Sequence, residues 1–360
     1  MLRTICSTFP FVVCLCWFIT FALRWHHNDR AKRVLTIFLG TCSVLYLCHA
    51  FYFNMGSLPA CGEGLWALCS LSVYPLYYIY ITYLTCRPMT NARTMCCLLP
   101  GLLVALAIAL YPESGADSAR KLLNAAQIVC VMYFGYRRLH AFDREIANIY
   151  ADTEGRDTLA VKHLLTAFVA TSLLSVVANI VGKQFVSANE WMVTILVLFG
   201  ILIHMLSHIG YRRDFSVEQY EEDSAEGGAG VDAKLCDDAI DEAELSRKIE
   251  ALMTQGYYLN QNLTIQDFVR ETKFCRTYVS SYINRTYGCS FSAYVNRQRV
   301  EYAKQLLRQK GEKKMMVVAA EAGFTNTQSF YRNFRKFTGM NPAKWLEEEK
   351  DAHRDYVQSS

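Results

Sequence analysis

Seven apolar stretches, each about 17 to 21 residues long, occupy most of the first 211 residues of this chain. A helix needs about 20 predominantly apolar residues to cross the hydrocarbon core of a bilayer, so each stretch is a candidate transmembrane helix. The stretches are Ile5–Leu23, Val34–Phe53, Leu65–Thr85, Met95–Tyr111, Ser118–Tyr136, His163–Val181 and Trp191–Tyr211. The fifth is the weakest, because Asn124 and Gln127 interrupt it. The pattern predicts a bundle of seven transmembrane helices in a lipid bilayer.

Positive charges are distributed unequally over the loops between these stretches. Alternate loops carry thirteen Lys or Arg residues on one side and four on the other. Lys and Arg near membrane helices are retained in the cytoplasm. The bias therefore predicts a multipass protein of a bacterial inner membrane, with its N-terminus outside and its C-terminal half in the cytoplasm. A cleaved signal peptide over residues 1–23 is the alternative, but it would export the basic run from Arg24 to Arg33.

The cysteines and histidines of the apolar half raise the question of a metal or haem site. Most of the fourteen cysteines lie inside apolar stretches, and no CxxC pair occurs, which favours packing over metal binding. His204 and His208 lie four residues apart in the last stretch, and His49 lies in the second. A haem or metal site and hydrogen bonds to neighbouring helices both stay open for these histidines. The sequence predicts no cofactor and no metal.

The apolar half contains no sequence motif that indicates an enzyme. The motifs HExxH and GxSxG and a nucleotide-binding loop do not occur in it. The loops between the stretches are short, so a stimulus would have to bind between helices or arrive through the lipid. The sequence therefore predicts a sensor rather than an enzyme, and the signal ligand stays unidentified.

Residues 212–244 differ sharply from the apolar half. Between Asp214 and Glu244 there are twelve Asp or Glu residues against one Lys, together with the glycine-rich run 227–230. High charge and glycine disfavour a packed core, so this segment is predicted to be a flexible acidic linker. Its carboxylates have two open roles: to keep the tether solvated, or to compete with DNA phosphates for the basic residues that follow.

Residues 245–347 are basic, with seventeen Lys or Arg residues against seven Asp or Glu. Thr264 and Asp267 have the spacing of a helix cap, and an apolar helical face follows. Lys273 and Phe274 form the predicted turn, with Phe274 filling it, and a second helix begins near Cys275. Helical spacing leaves one face of that helix polar, which suits a DNA groove. The residues on this face are Arg276, Thr277, Ser280, Ser281 and Asn284.

The same pattern recurs after a long helix. That helix is predicted over Ser292–Gln309, with apolar positions buried at helical spacing and Arg297, Arg299, Lys304 and Arg308 outside the core. Gly323 and Phe324 form the second turn, because glycine tolerates positive φ. The helix that follows places Phe330 and Phe334 inward. The sequence thus predicts two helix-turn-helix patterns joined by one long helix. Together with the transmembrane helices, this gives an all-α chain.

Residues 263–347 resemble the DNA-binding domain of the AraC/XylS family of bacterial transcription regulators. The strings that carry the resemblance are AAEAGF at 319–324, SFYRNFRK at 329–336, TGMNP at 338–342, TYVS at 277–280 and RQRV at 297–300. Lys273 and Cys275 depart from the family pattern, which favours glycine in the first turn and serine as the cap. The resemblance implies two reading helices in successive major-groove segments. It places base contacts on Thr277, Ser280, Ser281, Thr327, Gln328, Ser329 and Arg332.

Taken together, these patterns predict four parts: a transmembrane domain over 1–211, the acidic linker over 212–244, a DNA-binding domain over 245–347 and a tail over 348–360. The predicted function is that of a membrane-tethered, sequence-specific regulator of transcription that couples a membrane or envelope signal to gene expression. The alternative is a membrane transporter or enzyme with a DNA- or protein-binding tail. The predicted partners are double-stranded DNA and the lipid bilayer, with RNA polymerase, a signal ligand and a second copy in a homodimer as further candidates.

Overall fold

A computed structural model describes residues 2–56, 58, 62–111, 116–153, 158–181, 191–212, 242–309 and 314–359. These residues form α-helices, one 3₁₀ turn and a single isolated β-bridge. The chain divides into two compact units. The first comprises Met1–Phe142 and Thr158–Tyr220, and the second comprises Asp143–Asp157 and Glu221–Ser360. A short stretch from the apolar half thus belongs to the same compact unit as the C-terminal domain.

Each of the seven predicted apolar stretches forms a helix, apart from the last residue of three of them: Leu23, Thr85 and Tyr111. The helices are α1 (Leu2–Ala22), α2 (Arg30–Met55), α3 (Gly62–Leu84), α4 (Asn91–Leu110), α5 (Ala116–Ala147), α6 (Leu159–Val181) and α7 (Trp191–Arg212). Within the first unit α1 packs against α2 and α7, α2 against α3, α3 against α4, and α6 against α7. Helix α5 extends eleven residues beyond the predicted end at Tyr136, and its last turns belong to the second unit.

Five helices of the described residues are long and apolar enough to cross a membrane. The spans are Thr4–Ala22, Arg30–Tyr52, Gly62–Leu84, Asn91–Leu110 and Thr194–Arg212, and Leu159–Leu173 is a shorter apolar helix. The chain therefore has several helices suited to a bilayer, while the number seven stays a prediction. Helix α4 supports a lipid setting, because it exposes a row of large apolar side chains: Met95, Leu99, Leu102, Leu103, Leu106 and Leu110.

Helix α5 does not belong to that set of five. The polar side chains that weaken its apolar stretch contact α3 instead of lying free. Gln127 donates a hydrogen bond to the Leu71 carbonyl at 3.0 Å, and Asn124 donates to the Ser70 hydroxyl at 3.3 Å. Polar groups that bond a neighbouring helix are tolerated within a membrane bundle. The interruption noted in the sequence is thus compatible with an α5 that lies among other helices.

Two histidines of the first unit accept hydrogen bonds from tryptophans on neighbouring helices. Trp17 donates its indole N–H to Nδ1 of His204 at 3.0 Å, and Trp66 donates to Nε2 of His49 at 3.3 Å. The rings of His204 and His208 stack at 6.4 Å. Among the described residues no group of three or more His, Cys, Asp or Glu side chains is placed to hold a metal ion. These contacts favour the hydrogen-bonding interpretation of His49 and His204.

The second unit contains seven helices in its described C-terminal part. They are α8 (Glu242–Thr254), α9 (Ile265–Thr272), α10 (Arg276–Tyr287), α11 (Phe291–Gln309), α12 (Met315–Glu321), α13 (Thr327–Thr338) and α14 (Pro342–Ser359), with a 3₁₀ turn at Tyr257–Leu259. Glu242–Glu244, the last residues of the predicted linker, form the first turn of α8, and the domain boundaries stay predictions. Residues 213–241 of that linker lie outside the described part of the chain. Helix α14 continues into the predicted tail over 348–360.

Helix α11 forms the centre of the second unit. It packs against α10 on one side and against α12 and α13 on the other. Val300, Ala303 and Leu307 are buried in a cluster that also contains Phe330, Phe334 and Trp345. The prediction that Arg299 lies outside the core was wrong, since this side chain has no exposed surface. Phe274, predicted to fill the first turn, is only half-buried.

Candidate DNA-binding surface

The first helix-turn-helix consists of α9 and α10. Thr264 and Asp267 form the predicted capping box, in which the Thr264 backbone N–H donates to the Asp267 carboxylate at 2.8 Å. The turn contains Lys273 in the left-handed conformation, with φ of 63°, a position that glycine would occupy with less strain. Cys275 caps α10 without a side-chain hydrogen bond. The two departures from the family pattern therefore coincide with a less stabilised turn.

Helix α10 has a buried face and a polar face. Val279, Tyr282 and Ile283 are buried, which matches the predicted apolar stripe. On the polar face Thr277, Ser281 and Asn284 are exposed, while Arg276 and Ser280 are half-buried. Asn284 donates to the Ser280 carbonyl at 2.8 Å, so its amide nitrogen already has a partner on its own helix. These five side chains lie together on one helix, as a reading face requires, and their base contacts stay a prediction.

The second helix-turn-helix consists of α12 and α13. Asn326 caps α13 by accepting a hydrogen bond from the Ser329 backbone N–H at 2.8 Å. Phe330 and Phe334 have no exposed surface and hold α13 against the core. Gln328 and Arg332 are exposed, and Thr327 is half-buried. Tyr331, Arg335 and Lys336 share the exposed side of α13 and extend the polar surface toward the C-terminus of the helix.

Ser329 differs from the other predicted contact residues. Its side chain is only 1% exposed. The hydroxyl donates to a carboxylate oxygen of Asp152 at 3.2 Å, and Thr325 donates to the other oxygen of the same carboxylate. In this arrangement Ser329 bonds to protein, whereas Thr327, Gln328 and Arg332 lie at the surface.

A buried arginine of α11 binds the 3₁₀ turn that precedes the first helix-turn-helix; the two helix-turn-helix units are called the first and the second module. Arg299 of α11 donates to the carbonyls of Tyr258 and Asn260, both at 2.6 Å. Burial lowers the pKa of Arg299 to about 10, and the nearby Asp152 carboxylate opposes this shift. Arg299 therefore keeps its charge at neutral pH. Gly323, in the turn of the second module, lies against the same Tyr258–Leu259 backbone.

Basic side chains surround the reading faces. Arg297 lies over the Phe337 ring with 5.8 Å between guanidinium carbon and ring centroid. Lys336 lies over the same ring, with 5.5 Å between its Nζ and the ring centroid. Burial raises the pKa of the Cys289 thiol, and the positive charges of Arg297 and Lys336 oppose this shift. Arg285 at the end of α10 pairs with Glu242, the first residue of α8. One carboxylate of the acidic segment thus contacts a basic residue of a reading helix.

The roles of Asp152 and Thr325 were not predicted from the sequence. Asp152 lies outside both helix-turn-helix patterns, in a polar loop of the apolar half. A single carboxylate in a loop carries no periodic signal, and its partners lie more than 170 residues away along the chain. Only the folded arrangement brings these residues together.

Comparison with known proteins identifies the C-terminal part. A family model for a helix-turn-helix domain matches residues 268–348. The melibiose operon regulatory protein of Escherichia coli is 28% identical over 86 residues, 24% of this chain and 28% of that protein. The HTH-type transcriptional regulator ExsA of Pseudomonas aeruginosa is 30% identical over 93 residues, 26% of this chain and 33% of that protein. The uncharacterized HTH-type transcriptional regulator YobQ of Bacillus subtilis is 35% identical over 85 residues, 24% of this chain and 35% of that protein.

The match covers a minor part of each relative. The chain spans 28% of the length of the melibiose operon regulatory protein and 35% of YobQ. No solved structure is significantly similar to the chain. These relatives are named as a regulatory protein and a transcriptional regulator. The C-terminal part of this chain carries an AraC-type helix-turn-helix domain, the DNA-binding domain of that family of transcription regulators.

Proposed function

We propose that the chain is a membrane-tethered, sequence-specific regulator of transcription, which couples a membrane or envelope signal to gene expression. The observation that carries the proposal is that one chain joins an AraC-type helix-turn-helix domain to at least five helices suited to a bilayer. A DNA reader has to lie in the cytoplasm, and a membrane-embedded part can respond to the envelope. In this proposal RNA polymerase, a signal ligand held between helices and a second copy of the chain are the partners to be tested.

The proposed topology has seven spans, with the N-terminus outside a bacterial inner membrane and the DNA-binding domain in the cytoplasm. It rests on the thirteen-to-four bias of Lys and Arg over alternate loops. A reporter enzyme active only in the periplasm should work when fused after Gly62 or Ser187. It should fail when fused after Asp29, Thr153 or Asp214. Activity after Asp29 would contradict the topology and favour a cleaved or inverted first segment.

The proposed DNA interface consists of the polar faces of α10 and α13. Arg276, Thr277, Ser280, Ser281 and Asn284 belong to the first face, and Thr327, Gln328, Ser329 and Arg332 to the second. Recognition by such helices takes place in the major groove, where base edges carry the sequence information. The surrounding Lys and Arg residues would bind phosphates, so affinity should fall steeply as salt rises.

The test uses the full chain in lipid nanodiscs and a duplex selected by that chain from a random-sequence library. Arg332→Ala should weaken binding by roughly 1–3 kcal/mol and relax the base preference at one position, because a bidentate arginine discriminates by that amount. Lys344→Ala is the matched control, since it also removes one exposed positive charge but lies on α14. Unchanged preference in Arg332→Ala would remove this residue from the interface, and absence of selected sequences would contradict the proposed function itself.

A further inference from the structure

The short segment between α5 and α6 is built into the DNA-binding unit. The Ala151 backbone N–H donates to the Leu263 carbonyl at 3.0 Å, and the Ile265 backbone N–H donates to the Ile149 carbonyl at 2.8 Å. These bonds form an antiparallel bridge between Tyr150 and Thr264. The segment Ile149–Asp152, called the docking segment below, is buried throughout. It therefore pairs with the N-terminus of the first module as a strand would.

The docking segment also contacts the helix that joins the modules. The Ala151 carbonyl accepts hydrogen bonds from the Ser292 hydroxyl at 2.8 Å and from the Asn296 amide at 2.7 Å. Both donors lie on α11 and are buried. The hydroxyl and the amide are themselves 3.2 Å apart. A single backbone carbonyl is thus bound by two side chains of the joining helix.

Asp152 carries the contact to the second module. Its carboxylate accepts hydrogen bonds from Thr325 and Ser329 at the start of α13. It also lies close enough to Arg299 to favour the charged form of that buried guanidinium. Hydrogen bonds to an ionised acceptor are stronger than neutral ones and depend more on geometry. Within about four residues, the docking segment contacts the first module, the joining helix and the second module.

The exposed reading residues stay outside this contact. Thr277 and Ser281 on α10, and Gln328 and Arg332 on α13, remain exposed while the segment is docked. A segment that blocked DNA would have to cover these side chains. The docking segment instead contacts α13 through the buried Ser329 in the first turn of that helix. Its placement suits a part that fixes the two reading helices relative to each other.

We propose that Asp152 is a positioning residue for DNA recognition, and that the docking segment holds the two helix-turn-helix modules in the geometry that reads successive segments of one duplex. This inference rests on the proposed DNA-binding function and deepens it. When the first module has bound a duplex, the second module binds the same duplex at an effective concentration. That concentration depends on how closely the link between the modules holds the second module in its bound position. A connection held in the bound geometry lowers the entropy lost on binding.

The docking segment is also continuous with α5. Helix α5 runs without interruption to Ala147, and its residues up to Phe142 belong to the apolar unit. Only Asn148 separates the end of this helix from the docking segment. A shift or rotation of α5 would therefore change the docking of the segment, and through it the pairing of the reading helices. Movement of α5 is thus the proposed link between the apolar unit and DNA binding.

The test compares two duplexes bound by the full chain in nanodiscs. The first is a duplex selected by the wild-type chain from a random library. In the second duplex, the sequence is scrambled in one half of the site, namely the half that the wild-type chain protects in a footprint and Arg332→Ala does not. Asp152→Ala should lose about tenfold in affinity for the complete duplex, within the usual range for coupling between sites. Its affinity for the half-scrambled duplex should match wild type, since the first module binds that duplex alone.

Two further variants separate charge and folding from positioning. Asp152→Asn keeps an oxygen acceptor for Thr325 or Ser329, so it should recover part of the loss. Glu347→Ala removes an exposed carboxylate of α14 from the same unit and should leave both affinities unchanged. A double-mutant cycle of Asp152→Ala with Thr325→Ala should be non-additive, because the two side chains share one hydrogen bond.

Three outcomes would overturn the inference. Equal affinity of Asp152→Ala and wild type for the complete duplex would show that the contact positions nothing. Tighter binding by Asp152→Ala would show that the segment restrains the reader. Equal losses on both duplexes would show general damage to the domain. If the wild-type chain selects no duplex, the proposed function fails, and that result is distinct from the other three.

Discussion

Replacing Gly323 with alanine tests how tightly the turn of the second module is held. Gly323 has φ of +82°, in the left-handed region that favours glycine. A Cβ at this position would lie 2.8 Å from Leu259 Cα, the Leu259 carbonyl oxygen and the Tyr258 carbonyl oxygen. All three are backbone atoms, so no side-chain rotation can relieve the contact. The Tyr258 carbonyl is further held by Arg299 at 2.6 Å.

The expected loss of stability has two parts. For a residue with a Cβ, the left-handed conformation costs about 1–2 kcal/mol. Crowding a packed interior costs about 1–3 kcal/mol more. Gly339→Ala is the matched control, because Gly339 also has φ of +82°, but a Cβ added there would meet no atom within 4 Å. The difference between the two variants should therefore be about 1–3 kcal/mol, roughly a 5- to 150-fold difference in the opening equilibrium.

Hydrogen exchange measured on the full chain in nanodiscs gives this difference directly. Amides of α11 and α13 should exchange faster in Gly323→Ala than in Gly339→Ala, while peptides from α2 and α3 should be unchanged in both. Exchange reports local opening with peptide resolution, so the apolar unit serves as an internal reference. Equal acceleration in the two variants would refute the reasoning, because the close approach to the Tyr258–Leu259 backbone would then cost nothing.

Two other predictions concern charged groups of the same unit. Arg299→Met should lower the free energy of unfolding of this unit by about 1–3 kcal/mol for each of the Tyr258 and Asn260 carbonyls, because both lose their buried donor. Arg299→Lys should recover only part of this loss, and hydrogen exchange measures both variants. A hydrogen bond from the Arg308 side chain holds the pKa of Glu349 below its ordinary value of 4.5. The ion pair therefore stabilises the fold at pH values above 4.5, and this stabilisation is lost as the pH falls through the lower pKa of the folded state. The stability difference between wild type and Arg308→Gln should therefore be present at pH 7 and disappear in acid, and a difference that persists there would exclude the ion pair as its cause.

Local sequence patterns predicted the helix-turn-helix elements well. The Thr264–Asp267 capping box and the inward positions of Phe330 and Phe334 depend on residues within one or two turns of each other. Helical periodicity fixed the long helix to within one residue at its start. These features were predictable because each is determined by neighbours along the chain. The AraC-type identity of this domain was predictable for the same reason and is confirmed.

The contacts that the sequence did not reveal are long-range and polar. Periodicity assigns an arginine to the solvent side of a helix, so it predicted the wrong side for Arg299. The reason for its burial is the pair of carbonyls at Tyr258 and Asn260, about forty residues earlier. Asp152 reaches Ser329 across 177 residues of sequence. Neither partner set follows a spacing rule, because the fold of the whole unit brings the groups together.

The polar character of this junction has a physical consequence for a two-module reader. Apolar contacts between helices tolerate small slides at little cost, whereas a buried hydrogen-bond network is satisfied in one arrangement and costs several kcal/mol in others. Arg299, Asn296 and Ser292 place such a network along α11, and Asp152 extends it to α13. A reader of two successive groove segments needs one fixed relation between its helices. In the proposed function this network makes α11 part of the recognition geometry, and a change at Asp152 should alter the placement of α13 relative to α10 while α10 keeps its own contacts.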